Sequence, residues 1–423
     1  MKASDGLHTV LVSTLPPVNT SLSEYGRFLV EGLLSSSDGL QLTVLADLQE
    51  SGPVQSEMHH PRLKVDRCWR FNDWKNPLVV LRKLWAIKPE VVLFNLQFAS
   101  FGGKKIPAML GLMIPFLARL MGFKVVTLLH NLPDAMALDQ PYFARNPLDR
   151  WLIQTGGAVA TRLLLQSHRL VVTLERYKDI LETRYGAKNV EIMPLGSYVK
   201  PARVPLVQKR NTFLTFGKFG TYKRLEFLLD SFEKLSQKHP QIELVIGGTD
   251  HPNTPGYLEA VQARYSHLKN VRFLGWIEDE ALPGLIRNTK ALILSYEATA
   301  GSSGPLHLAL SQGKPVIAPD FGDFRLVAEH EGAELIFYHH QDIANFEKVF
   351  EAVILNKLDL AKMGRHNLNI AKVNSAENIA RRYLNLLLSV SHAPHGFAPA
   401  LMQKVLPHAK AQAKASPDFP LAG

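Results

Sequence analysis

The chain has 423 residues, of which 46% are apolar and 20% charged, with a net charge of +10 and one cysteine, Cys68. That length exceeds one ordinary domain and supports two, each with its own core. A single thiol excludes a disulfide framework and a multi-cysteine zinc centre, and it fits a reducing, cytoplasmic setting.

In chain order, short apolar runs alternate with amphipathic helices, the pattern of a parallel α/β sheet. Strands are predicted at Thr9–Ser13, Leu42–Leu45, Val91–Phe94, Lys124–Leu129 and Leu170–Thr173. The apolar run from Val10 to Leu15 reads as a first strand and not as a signal peptide. A helix follows over Leu22–Leu34, opened by a capping box in which Ser21 covers an orphan amide and Glu24 reaches back.

The positive charge is concentrated between Arg62 and Lys124, where twelve Lys/Arg stand against three acids. Trp69, Phe71, Trp74 and Trp85 are interleaved with them. A basic face with aromatics fits an anionic membrane surface, or else a solvated surface over buried tryptophans. No helix-turn-helix, zinc-finger or RNP-like pattern is present, so no nucleic-acid partner is expected. Ile106–Phe123 is the most apolar run. It falls short of the roughly 20 residues of a span and holds Pro115 and Arg119. It reads as a core helix or as a helix dipping into one leaflet beside Lys104, Lys105 and Lys124.

Val199–Pro205, with two prolines and two cations, reads as an interdomain linker. A second strand series follows: Thr212–Phe216, Glu243–Ile246, Val271–Leu274, Ala291–Leu294 and Pro315–Ala318. Helices are predicted over Arg224–His239, Glu278–Asn288 and Ala376–Val390. The expected domains are residues 1–198, an N-terminal Rossmann-like unit, and residues 206–373, a second one. A helix over 374–391 packs back on the first, and residues 392–423 form a mobile tail. The expected architecture is two Rossmann-like domains facing a central cleft, with ligand bound outside the carboxyl ends of the strands.

Two stretches of the second half carry the chemistry. Lys218 and Lys223 follow a strand end, and Gly217 and Gly220 let the backbone turn there. Two cations so placed can converge on one diphosphate. Ser302, Ser303 and Gly304 precede Pro305 at the start of a short helix, where hydroxyls and unbonded amides favour an anion.

The run from Thr212 to Glu329 resembles the C-terminal domain of the retaining GT-B glycosyltransferases of family four. The resemblance rests on Gly217-Lys218, Lys223 with the helix Leu225–Leu229, the pair Gly247-Gly248, the stretch Val271–Trp276, and Gly313-Lys314-Pro315-Val316. The first half matches more loosely, at Pro16-Pro17, His130-Asn131 and Met193–Gly196. The resemblance implies a nucleoside-diphosphate sugar as donor, with Lys218 and Lys223 neutralising the departing diphosphate. His130 would touch the donor sugar, and no metal or other cofactor would be required. It also implies a retaining transfer, with the donor phosphate serving as base toward a saccharide or lipid-linked acceptor.

One departure stands out. The positions of the family's two glutamates hold Ala300 and Leu308. Glu297 is the candidate replacement for the first. Asp320 and Asp323 follow the last strand and can bind donor hydroxyls or cap the next helix. Glu329 reads as solvated, while Thr20, Ser21, Ser23, Asn95 and Gln97 stand at the mouth of the N-terminal domain. The expected role is a sugar transferase of polysaccharide or glycolipid synthesis, peripheral to the inner face of the membrane. The missing glutamates leave two other readings open, a catalytically inactive scaffold and a sugar-nucleotide epimerase.

Overall fold

A computed structural model describes residues 6–18, 20–48, 58–132, 147–197, 199–203, 211–251, 254–278, 280–297 and 303–393. The first half runs β1 (His8–Val12), α1 (Ser21–Ser36), β2 (Gln41–Asp47), β3 (Leu63–Trp69), α2 (Asn76–Ile87), β4 (Val91–Leu96), α3 (Lys105–Leu112), α4 (Ile114–Leu120), β5 (Val125–Leu129), α5 (Pro147–Leu164), β6 (Arg169–Val172), α6 (Glu175–Tyr185) and β7 (Val190–Ile192). Its strands form one parallel sheet in the order β3-β2-β1-β4-β5-β6-β7.

The second half repeats the plan with β8 (Thr212–Phe219), α7 (Leu225–Lys238), β9 (Glu243–Asp250), α8 (Tyr257–Arg264), β10 (Val271–Gly275), α9 (Leu282–Arg287), β11 (Ala291–Ile293), α10 (Gly304–Ser311), β12 (Val316–Asp320), α11 (Gly322–Glu331), β13 (Ile336–His339), α12 (Ile343–Ile354), α13 (Leu360–Val373) and α14 (Ala376–Ser391). The parallel order is β10-β9-β8-β11-β12-β13. In each sheet the connections reverse direction beside the first strand, between β1 and β4 and between β8 and β11. The chain leaves a crevice at such a point, beyond the carboxyl ends of the strands.

Helices cover both faces of the first sheet. Val80, Leu84, Ile114, Ala118, Ala160 and Leu164, from α2, α4 and α5, are buried in one core cluster against Val10, Val12, Val92 and Phe94. On the other face Leu29 and Leu33 of α1 share a cluster with Tyr383 and Leu387 of α14. Gly32 permits the close helix contact, because a Cβ there would lie 2.6 Å from that of Ala380. The chain thus crosses from the first domain to the second and back. The two crossings touch where Ser197 pairs with Ser375.

Several local expectations change. Thr20, not Ser21, caps α1, its hydroxyl accepting from Ser23 N at 3.1 Å. The apolar run Ile106–Phe123 is two short helices, broken at Met113 ahead of Pro115, whose ring cannot continue a helix. The helix expected over Glu278–Asn288 is only α9, starting beside Pro283. Strands β3, β7 and β13 lie outside the predicted set. The Lys124 ammonium, at the end of the apolar run, donates to the Ser391 carbonyl at the end of α14. Of the predicted tail, residues 394–423 lie outside the described residues.

Candidate active site in the interdomain cleft

The two crevices face each other across a cavity of about 420 Å³ lined by residues of both domains. Strand β8 runs on past its core into Gly217, Lys218 and Phe219, and its last rungs pair Gly217 with Gly248 of β9. Both glycines have positive φ, +129° and +132°, and a Cβ on Gly248 would fall 1.9 Å from the Gly217 carbonyl oxygen. Close backbone approach is therefore the reason for this pair. A Cβ on Gly217 would stand 2.6 Å from the Lys223 ammonium, so the missing side chain is the space that the cation occupies.

Lys223 ends a 3-10 turn, Thr221–Lys223, after which Arg224 adopts a left-handed conformation and α7 begins. Ser295 Oγ donates to the Lys223 carbonyl at 2.7 Å, pinning this turn to the end of β11. The side chain is 6% exposed. Its ammonium lies 4.9 Å from the Tyr296 ring centroid and 5.2 Å from that of Phe219, in cation–π contact. Among the described residues no carboxylate pairs with it. Burial, and then the charge of Lys218, lower its pKa from 10.5 to about 7. Burial also lowers that of Lys218, opposed by the Glu24 carboxylate of α1 across the cleft. An anion placed here would raise both pKa values.

The start of α10 borders the same space. Ser303 caps it, its hydroxyl accepting from Leu306 N at 3.4 Å. Gly304, not Pro305, is the first helical residue. Pro305 has no N–H, and the amides of Ser303 and Gly304 have no backbone acceptor among the described residues, so they are available to an anion at this helix start. Ser302 and Ala300 lie outside the described residues. Behind the helix, His307 is buried. Its Nδ1 lies 2.9 Å from the Ser303 carbonyl oxygen and its Nε2 lies 3.0 Å from Glu331 Oε1. Burial lowers the imidazole pKa, but the Glu331 carboxylate outweighs it and the net shift is upward.

From the first domain His130 enters the cavity at the end of β5. Its Nε2 is 2.7 Å from Asn95 Oδ1. Asn95 Nδ2 donates to Ser13 Oγ at 2.9 Å and to the Leu22 carbonyl at 3.3 Å, which leaves Oδ1 as the acceptor and puts the ring proton on Nε2. Burial lowers the His130 pKa to about 4, so the ring is neutral at physiological pH. Tyr25 packs edge-on against it at 4.6 Å. Ser21 and Gln97 also line the cavity, whereas Ser23 and Asn95 are buried behind it and Thr20 serves as the cap.

The structure thus brings Gly217, Lys218, Lys223, Ser303, Gly304 and His130 together. It does not bring Glu297 or Asp320 into the group lining the cavity. Glu297 Oε1 lies 3.6 Å from Arg224 and accepts from Gln341 Nε2 at 3.1 Å. Asp320 is held by Arg325, whose Nε donates to it at 2.9 Å. Asp323 sits 3.7 Å from Arg176 of α6, a tie between the domains. Leu308 does line the cavity. Sequence reasoning missed Glu24, Tyr222, His251 and Trp276, which line it from the ends of four different segments. Of these, Tyr222 was legible beside Lys223. Among the described residues no cluster of three or more His, Cys, Asp or Glu is placed to hold a metal ion.

Residues 210–356 match the family model described as Glycosyl transferases group 1. Over 144 residues the chain is 28% identical to the GDP-mannose:glycolipid 4-beta-D-mannosyltransferase of Xanthomonas campestris, covering 34% of this chain and 38% of that protein. It spans about half the length or less of the curated relatives it matches. Among solved structures, sucrose-phosphate synthase from Thermosynechococcus elongatus superposes with a TM-score of 0.69 at 15% identity, over 91% of this chain and 99% of that one. Anabaena HepE in complex with UDP-glucose superposes with a TM-score of 0.65 at 14% identity, over 90% and 99%. The fold is GT-B, and residues 210–356 of its second half are similar to the group 1 glycosyltransferase model.

Proposed function

We propose that this chain transfers a sugar from a nucleoside-diphosphate donor to a saccharide or lipid-linked acceptor, with retention of configuration and without a metal. The observation that carries the reading is one cavity in which two ammonium groups and the amides at the start of α10 converge opposite a neutral histidine. The bond from the anomeric carbon to the diphosphate oxygen breaks as negative charge builds on the diphosphate. Lys218, Lys223 and the Ser303 and Gly304 amides are preorganised to receive that charge, which is where an enzyme gains most. His130 and Tyr25 form the opposite wall, where the donor sugar and acceptor meet. Two relatives support the donor and acceptor classes by name: HepE is described with UDP-glucose and the Xanthomonas enzyme acts on a glycolipid. Leu308 stands where a ribose-gripping glutamate is expected, so ribose recognition falls to other groups of the wall, and Glu297 is not among them.

The test is transfer measured with a panel of sugar nucleotides and polyprenyl-diphosphate saccharides. Lys218→Ala and Lys223→Ala each lower turnover by about 2–4 kcal/mol of transition-state stabilisation, by analogy with loss of an oxyanion donor. Unchanged turnover in both variants refutes the assignment. Absence of binding to any nucleoside diphosphate by calorimetry returns the chain to the scaffold reading.

A further inference from the structure

We propose that the outer face of the α2–α5 layer of the first domain is a docking surface for an anionic lipid bilayer, placed to deliver a lipid-linked acceptor to the cleft. This rests on the acceptor class above, but the surface stands on its own observations. Fifteen large apolar side chains are exposed among the described residues, and nine of them lie in this layer or the turns that lead into it. The opposite layer, α1 and α14, contributes none. Water-exposed apolar groups confined to one face mark an interaction surface.

The arrangement is amphipathic in a specific sense. On α2, Leu78 and Trp85 are seven residues apart, two helical turns, so they point the same way. Both are about 60% exposed, at 62% and 61%. Arg82 lies on that stripe and Lys75 just before the helix, both exposed. Phe71 and Trp74 precede α2, and Ile106, 70% exposed, opens α3 beside Lys104 and Lys105. Asp73 is the one acid among these turns, and its carboxylate caps the Lys75 amide at 2.9 Å. Tryptophans and isoleucine among lysines and arginines suit the headgroup boundary of a bilayer with negative lipids. A second copy of this chain would bring the same positive charges against each other, which disfavours that occupant. Among the described residues no helix is long and apolar enough to cross a membrane, so the contact is one of lying on the surface.

The patch adjoins the cleft through the backbone. The Asn72 amide donates to the Phe101 carbonyl at 2.8 Å, and Asn72 Oδ1 accepts from the Lys104 amide at 3.0 Å. These bonds pin the Phe71–Trp74 turn to the loop after β4. That loop begins at Gln97, which lines the cavity, and runs to Lys104, next to Ile106 of the patch. A headgroup held at the patch therefore sits on the segment that leads into the cavity lined by His130.

The experiment is co-sedimentation of the full chain with vesicles of phosphatidylcholine alone or with 30% phosphatidylglycerol. Binding is expected with the mixed vesicles only, weakening at least tenfold between low and high salt. Trp74→Ser with Trp85→Ser lowers the partition coefficient at least tenfold. Lys75→Glu with Arg82→Glu lowers it on the order of a hundredfold, as cationic side chains near such a surface contribute about 1 kcal/mol each. All four side chains are exposed, so both variants retain the wild-type melting point and nucleotide-diphosphate binding, measured in parallel. Failure of nucleotide binding would sink the catalytic reading and leave the lipid result standing. No binding to either vesicle, equal binding to both, or full binding by the variants overturns the proposal. So does a wild-type dimer that the tryptophan variant converts to a monomer without any lipid binding.

Discussion

Replacing Lys223 with Met should stabilise the protein while destroying donor binding. In the folded chain the pKa falls from 10.5 to about 7, chiefly by burial. In the unfolded chain it returns to about 10.4. Between those values the unfolded state binds more protons, so the native state gains stability as pH rises from about 7 to 10.5, and it carries the full penalty below pH 7. At pH 7.5 three units separate the unfolded pKa from the solvent, which at 1.36 kcal/mol each sets a ceiling of about 4 kcal/mol. Cation–π contact with Tyr296 and Phe219 is lost in the variant and removes about 1 kcal/mol of the gain. Met fits the same apolar slot, so a net gain of about 2–3 kcal/mol is expected, or roughly 5–10 °C in Tm. The assay is thermal unfolding at pH 7.5 and pH 10 with and without a nucleoside diphosphate at a hundred times its wild-type Kd. Ligand at that level stabilises the wild-type protein by about 2.7 kcal/mol and the variant by nearly nothing. A variant less stable than wild type at pH 7.5, or one that keeps the ligand shift, refutes the reasoning.

The same ammonium should make donor binding take up a proton. Calorimetry at pH 8 in buffers of different ionisation enthalpy should find uptake approaching one proton, and affinity should fall by up to tenfold per pH unit above about 7; zero uptake contradicts the Lys223 assignment. Gly217→Ala puts a Cβ at φ +129° and 2.6 Å from the Lys223 ammonium, so nucleotide affinity should drop at least tenfold in calorimetry while the circular dichroism spectrum is unchanged. His307 has a raised pKa through Glu331, so its pair contributes fully below about pH 6.5 and is lost as pH rises through the folded value. His307→Ala leaves the Glu331 carboxylate buried without that imidazole and should cost about 3–5 kcal/mol, read as a fall in urea midpoint that flattens the pH profile above 6.5.

The alternation of apolar runs and helices carried the two parallel sheets, because buried strands such as β4 and β12 open on continuous hydrophobic runs, Val91–Phe94 and Val316–Pro319. Strand β3 escaped because it is an edge strand with Lys64, Asp66 and Arg67 along it, and β7 because it has three residues. The part of the cavity lined by Lys218, Lys223, Ser303 and Gly304 was legible for a local reason: glycine turns and a helix start bring these residues to strand ends within their own segments. Glu297 and Asp320 lie outside the cavity lining, since a carboxylate near the right loop says nothing of direction. Arg224 and Arg325, each a short distance away in sequence or space, hold them elsewhere. The walls formed by Glu24, Trp276 and His251 come from segments whose proximity only the folded chain creates.

The return of α14 to the first domain bears on synthesis. Leu29 and Leu33 find their partners Tyr383 and Leu387 some 350 residues further along. As the chain leaves the ribosome, the β1–β7 sheet can pair, but one of its faces has an incomplete cover until the second domain has been made and α14 follows it. The oily flank of α1 is exposed for that whole interval, at roughly 5–20 residues per second for tens of seconds. The first domain to emerge is thus the last to close, and its biogenesis depends on keeping that flank from other chains until α14 arrives.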